Sequence, residues 1–136
     1  MDRIQTLLER VDTTLNASIT ELFPCLAFNK KYKPSNVEDF KKFIYTLNIK
    51  SMKSSFHSKD AESAKLVIEK LPTMEDKFLK DKMNNAIGIT NYLYNLHATK
   101  PIKNVVWGYR AKPAGIPNNH AGDIFVFFKD GSKIGV

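Results

Sequence analysis

The sequence predicts an α+β fold: about four helices over residues 1–100, then an antiparallel three-stranded sheet over 101–136. Three observations carry the prediction. Before position 100, apolar residues recur at three- and four-residue steps, the period of one helix face. After Pro101 the pattern changes to β-branched and aromatic runs, which suit a pleated surface. Asp130-Gly131 then stands between two such runs, a strong short-range hairpin signal, and a type I′ turn is expected there.

The first helix is read from Ile4, Leu7, Leu8, Val11, Leu15, Ile19, Leu22 and Phe23, with Pro24 disturbing its end. Residues 25–28, Cys-Leu-Ala-Phe, are apolar enough to pack inside. Ser35 with Glu38 three positions on reads as a capping box, and Val37, Phe40, Ile44 and Leu47 line the helix that follows. Residues 50–58 are polar and read as an exposed connection. Ala61, Ala64, Ile68 and Leu71 mark a third helix, stopped by Pro72. Thr73 is placed to cap a fourth, striped by Leu79, Met83, Ala86, Thr90, Leu93 and His97 and widened by Phe78, Ile87 and Tyr94. Strands are expected over 102–110, 123–129 and 132–136, with a loop rich in Pro, Gly and Asn over 112–122. The middle strand is apolar on both faces, so it is expected at the centre of the sheet under helices. The third would break off in mid-pairing, which predicts that these 136 residues are one domain forming the N-terminal part of a longer protein; a naturally short edge strand is the alternative.

Composition narrows the class. With 43% hydrophobic and 26% charged residues the chain is neither disordered nor fibrous. No apolar run approaches the roughly 20 residues of a membrane span, and the N-terminus lacks the apolar stretch of a secretory signal. Cys25 is the sole cysteine, which excludes an internal disulfide and suits a reducing, cytoplasmic setting. Lys plus Arg number 21 against 14 Asp plus Glu, a net charge of +7 that favours a polyanion such as nucleic acid or anionic lipid; the other reading is a solvated basic face. The excess is uneven: residues 30–60 hold eight Lys against Glu38, Asp39 and Asp60. The Lys- and Asn-rich style fits an AT-rich genome, such as that of a phage or a low-GC bacterium.

The chemistry-bearing stretch is residues 112–123, which ends on Asp123 at the entry of a buried aromatic strand. A carboxylate there needs a cation or hydrogen bonds to compensate it. Metal-dependent nucleases use such a layout, with one carboxylate at a strand entry and further ligands on the neighbouring strand holding Mg²⁺ against a phosphate. The other reading of Asp123 is an Asx residue bonded to the backbone of its own loop. His57, His97 and His120 have no metal-ligand spacing with one another or with Cys25, and His97 reads as a satisfied core histidine. Asn118-Asn119-His120 lacks the later His and Asn of an HNH nuclease, and neither a phosphate-binding glycine run nor a G-x-S-x-G elbow occurs.

Residues 122–136, GDIFVFFKDGSKIGV, resemble the central hairpin of the PD-(D/E)XK nuclease superfamily. The resemblance implies a core of helix, three antiparallel strands, helix and strand. It makes Asp123 a metal-binding and catalytic residue, with Mg²⁺ or Mn²⁺ as cofactor. The family's second motif, ending in a Lys, falls where this sequence stops, and Lys133 is too near the turn to be that Lys. The resemblance further suggests Glu21, on a preceding helix, as a second ligand. The expected function is a Mg²⁺-dependent DNA endonuclease domain or fragment, inactive by itself, with Arg110, Lys112, His120, Lys30, Lys31 and Lys33 contacting nucleic acid. The alternatives are a non-catalytic basic module that binds DNA or protein, and a phage-type inhibitor whose hairpin edge augments a partner's sheet. No membrane partner is expected; a homodimer, or continuation of the polypeptide beyond Val136, is.

Overall fold

The computed structural model describes residues 18–47, 54–56, 60–108 and 124–136. Among them four α-helices precede a three-stranded antiparallel sheet, the α+β order the sequence predicts. The part of the expected first helix from Ile4 to Leu15 and the expected loop over 112–122 lie outside the described residues. Helix α1, Phe23–Asn29, begins where that helix is expected to end and carries Pro24 in its first turn. A wide π turn over Ser18–Leu22 leads straight into it. Proline lacks an N–H and crowds the carbonyl four residues back; a wider turn just before it removes both conflicts. All of 23–28 is buried, as the apolar run requires.

Helix α2, Val37–Tyr45, is capped one residue later than expected. Asn36 is extended (φ −152°), and its side chain accepts the Asp39 N–H at 2.9 Å and donates to Asp39 Oδ2 at 3.0 Å. The reciprocal pair is therefore Asn36 and Asp39, not Ser35 and Glu38. Phe40 and Ile44 face inward. Helix α3, Ala61–Lys70, tightens into a 3₁₀ turn, Leu71–Thr73, that holds Pro72. Ser63, Ala64, Val67 and Leu71 are its buried residues, so its inner face is turned slightly from the expected one. Helix α4, Asp76–Thr99, has 24 residues and buries Leu79, Met83, Ala86, Thr90 and Leu93. Its N-cap is Glu75; Thr73 instead turns back, its hydroxyl donating to the Lys70 carbonyl at 2.7 Å.

Strands β1 (Ile102–Trp107), β2 (Ile124–Phe128) and β3 (Lys133–Gly135) lie in the order β1-β2-β3. β2 is central, as expected from its two apolar faces. Val105 pairs with Val126, and Val126 with Ile134. Phe127 pairs with Lys133, Phe128 N–H donates to the Ser132 carbonyl at 2.9 Å, and Gly131 N–H donates to the Phe128 carbonyl at 3.1 Å. The hairpin loop thus has three residues, 129–131, with Gly131 alone in the left-handed region (φ +91°). A type I′ turn would need Asp130 there too, so the loop is of the longer kind in which a glycine bulge follows the turn.

The outer edge of β1 is closed by a side chain. Val105 turns its N–H and carbonyl away from β2, and Asn29, the last residue of α1, meets both: Oδ1 accepts at 2.9 Å and Nδ2 donates at 2.6 Å. The same Nδ2 lies 2.8 Å from Ser55 Oγ, and a parallel bridge from Phe56 to Trp107 continues the edge. The core fills the space between helices and sheet with Phe23, Leu26, Phe40, Met83, Leu93, Val105, Trp107 and Val126, all fully buried. Each such side chain is worth about 1.5–3 kcal/mol of burial. His97 is half-buried against the Phe28 ring, its Nδ1 accepting the Ile102 N–H at 2.8 Å, the satisfied histidine expected on that stripe. Among the described residues no helix is long and apolar enough to cross a membrane.

Candidate nucleic-acid interface

The basic cluster Lys30, Lys31 and Lys33 is the C-terminal turn of α1. Lys31 N–H donates to the Phe28 carbonyl at 3.0 Å and Tyr32 N–H to the Ala27 carbonyl at 2.8 Å, the paired bonds of a Schellman motif. This motif needs a left-handed residue after the cap, a place usually filled by glycine. Here it is Lys31, at φ 59°. A residue with a Cβ costs roughly 1–2 kcal/mol in that conformation. All three ammonium groups belong to exposed residues, at the helix end where the macrodipole favours cations.

The turn has a stiff base. Tyr32 stacks on Phe43 with ring centroids 4.1 Å apart and planes 6° from parallel. Its carbonyl accepts the Tyr94 hydroxyl at 3.0 Å. Burial raises the pKa of both phenols, and the Asp39 carboxylate adds to the effect on Tyr32, so both stay neutral. Lys33 Nζ stands 5.7 Å from the centroid of the Tyr94 ring, which sets the basic turn against one flank of α4. Further along that flank the N-terminal ends of α2 and α4 enclose a cleft of about 640 Å³ whose charged lining is balanced, Lys41 and Lys80 against Glu38 and Asp76. Lys41 also reaches Glu38 at 3.6 Å, an exposed pair worth little in water.

Of the residues singled out from sequence, Asp123, Arg110, Lys112 and His120 lie outside the described residues. Glu21 is described, half-buried in the π turn before α1. Its backbone carbonyl accepts the Cys25 Sγ–H at 3.3 Å. Burial, reinforced by the Glu21 carboxylate, pushes the Cys25 thiol far above its usual range and leaves it unreactive. Among the described residues no three His, Cys, Asp or Glu side chains come together, so they do not by themselves make up a Mg²⁺ donor set. The convergence of α2 and α4 at this cleft was not legible in the sequence, because Lys41 and Lys80 sit on separate helices and no spacing links them.

Comparisons with known proteins add no relative. No family model, no curated protein and no solved structure matches this chain.

Proposed function

We propose that this protein binds DNA through its phosphate backbone, with the turn of Lys30, Lys31 and Lys33 as the principal grip. The observation that carries the reading is Lys31 itself. A lysine held at a left-handed position that glycine would occupy at lower cost keeps a cation on a rigid turn, and backbone strain of this kind concentrates at functional sites. The net charge of +7 supplies the attraction at longer range.

The test is fluorescence anisotropy with duplex DNA across a salt series. Each neutralised phosphate contributes a slope of about −0.9 in log affinity against log salt. Three contacts therefore predict a loss of roughly 40-fold between about 50 and 200 mM salt. Absence of binding at low salt, or binding indifferent to salt, would refute the reading.

A second reading is a Mg²⁺-dependent endonuclease with Asp123 and Glu21 as ligands. What supports it is position: Asp123 directly precedes Ile124, the first residue of the central strand, and α4 leads into three antiparallel strands in the order the resemblance implies. Cleavage of supercoiled plasmid with Mg²⁺, Mn²⁺ or EDTA, by wild type and Asp123→Ala, decides it. Metal-dependent nicking that the substitution abolishes would support the enzyme. Equal nicking by both proteins would remove Asp123 from any site.

A further inference from the structure

The aromatic cluster between α1 and α2 contains one pair unlike its neighbours. Phe23–Phe40, Tyr32–Phe40 and Phe40–Phe43 are tilted by 45–54°, with ring centroids 6.2–6.4 Å apart. Tyr32 and Phe43 are parallel to within 6° at 4.1 Å, closer than the roughly 4.5–7 Å usual for aromatic pairs. Phe40 is fully buried, whereas Tyr32 and Phe43 are half-buried at the rim of the core. The parallel pair is thus the part of the cluster that reaches the surface, and in such a pair each ring keeps one face outside the stack. Cations adjoin both rings. Lys31 and Lys33 flank Tyr32 in the chain, Lys42 precedes Phe43 and Lys30 completes the turn; all four are exposed. Against them stands Asp39, which faces the Tyr32 phenol and accepts from Asn36 Nδ2 at 3.0 Å, while Glu38 is paired with Lys41. Four lysines against one carboxylate leave the surface around the stack positive.

We infer that Tyr32 and Phe43 form a stacking platform for a base of unpaired DNA, with Lys30, Lys31, Lys33 and Lys42 holding the phosphates on either side. The inference rests on the DNA-binding reading above and names the form of DNA that the basic turn takes. In a duplex the bases cover one another and show only their edges in the grooves, so a ring platform finds no base face there. An unpaired strand exposes those faces, and every base has one, so cations that track the backbone beside aromatic rings hold such a strand whatever its sequence. The platform is also fixed in advance. Tyr32 N–H donates to the Ala27 carbonyl, and the Tyr32 carbonyl accepts the Tyr94 hydroxyl. Stacking a base on a ring already held in place costs little further ordering.

The experiment is fluorescence anisotropy at low salt with three probes of equal length: oligothymidylate, an abasic strand carrying the same phosphates, and a duplex. The proteins are wild type, Tyr32→Leu, Phe43→Leu and, as a control, Tyr45→Leu. Leucine keeps apolar bulk at the two half-buried positions and leaves the Tyr32 carbonyl in place for Tyr94. Tyr45 is 47% exposed on the same helix but lies about 200° around its axis from Phe43. Wild type is expected to bind oligothymidylate more tightly than either other probe. Tyr32→Leu and Phe43→Leu should each weaken that binding about 5- to 150-fold. Affinity for the abasic strand should not change, nor its salt slope of about −0.7 per phosphate contact, and Tyr45→Leu should alter nothing. The comparison of thymidylate with the abasic strand needs wild type alone, so a variant that fails to fold does not remove the test. Equal affinity for those two strands, a duplex bound as tightly as oligothymidylate, or a thymidylate preference that survives both substitutions would overturn the inference and leave the DNA-binding reading standing. A preference lost only in Tyr45→Leu would place the platform elsewhere on α2 and overturn it too. Failure of all three probes to bind would overturn both readings.

Discussion

Among the described residues two turns need a left-handed residue, and they are filled differently. In the hairpin loop Gly131 takes φ +91° and has open space where a side chain would go. At the end of α1 the same need is met by Lys31 at φ 59°. The hairpin follows the cheapest backbone rule; the α1 turn departs from it and gains a cation between Lys30 and Lys33. The two turns also differ in their footing. The hairpin is held at the surface by Asp130, whose Oδ1 accepts the Ser132 N–H at 2.8 Å and its hydroxyl at 2.6 Å. The α1 turn instead follows directly on Asn29, whose amide is bonded to a buried strand. The turn that carries strain stands on the support tied to the sheet.

The largest expected effect comes from removing that support. Asn29→Ala leaves the buried N–H and carbonyl of Val105 without their partner, at roughly 1–3 kcal/mol for each group. A loss of about 2–6 kcal/mol is expected, read as a lower urea midpoint with the slope unchanged. Next, Gly131→Ala forces a Cβ into the left-handed region and should cost about 1–2 kcal/mol in the same assay. Lys31→Gly should act in the opposite direction. Relief of about 1–2 kcal/mol of strain, less roughly 0.5–1 kcal/mol for the freer unfolded chain, leaves a stabilisation of up to about 1.5 kcal/mol. The same variant should lose about one unit of salt slope in DNA binding, so stability and affinity move apart. A destabilised Lys31→Gly protein would end the comparison.

The smallest effect is electrostatic. Hydrogen bonds from Ser132, and beyond them the Lys100 ammonium 3.5 Å away, hold the Asp130 carboxyl below its ordinary value of 3.8. The folded form therefore binds its proton less readily than the unfolded one. Its stabilisation is present above about pH 3.8 and is lost as pH falls through the lower folded-state value. The difference in Tm between wild type and Asp130→Ala should shrink on acidification through that window, and a difference that grew instead would reverse the assignment.

Features with a local period were legible in the sequence, and those made by distant partners were not. The stripe from Leu79 to Leu93 and the two-faced strand from Ile124 to Phe128 follow directly from helical and strand spacing. Asp130-Gly131 located the hairpin but not its loop length, because the same dipeptide suits two-residue and three-residue loops and strand register decides between them. Ser35 and Asn36 are both good caps, and the extended backbone at Asn36 decides for the second. Pro24 reads as the end of a helix, but it stands in the first turn of one, where the missing N–H costs nothing. The Asn29–Val105 clamp joins residues 76 positions apart and leaves no local signature. Likewise the lysines of the α1 turn were visible as a run, whereas their placement beside α4 depends on how Tyr32 and Tyr94 pack.

The sealed thiol of Cys25 gives the protein a built-in clock. Because the sulfur is fully buried in the first turns of α1, a thiol reagent can reach it only when that helix lifts from α4 and the sheet. Under native conditions the labelling rate at excess reagent then reports the opening of this unit, separately from global unfolding. Opening of α1 also releases Asn29 from β1 and dissolves the turn that carries Lys31. Labelling in the presence of DNA should therefore slow by the factor that mass action predicts for a ligand bound only to the closed form.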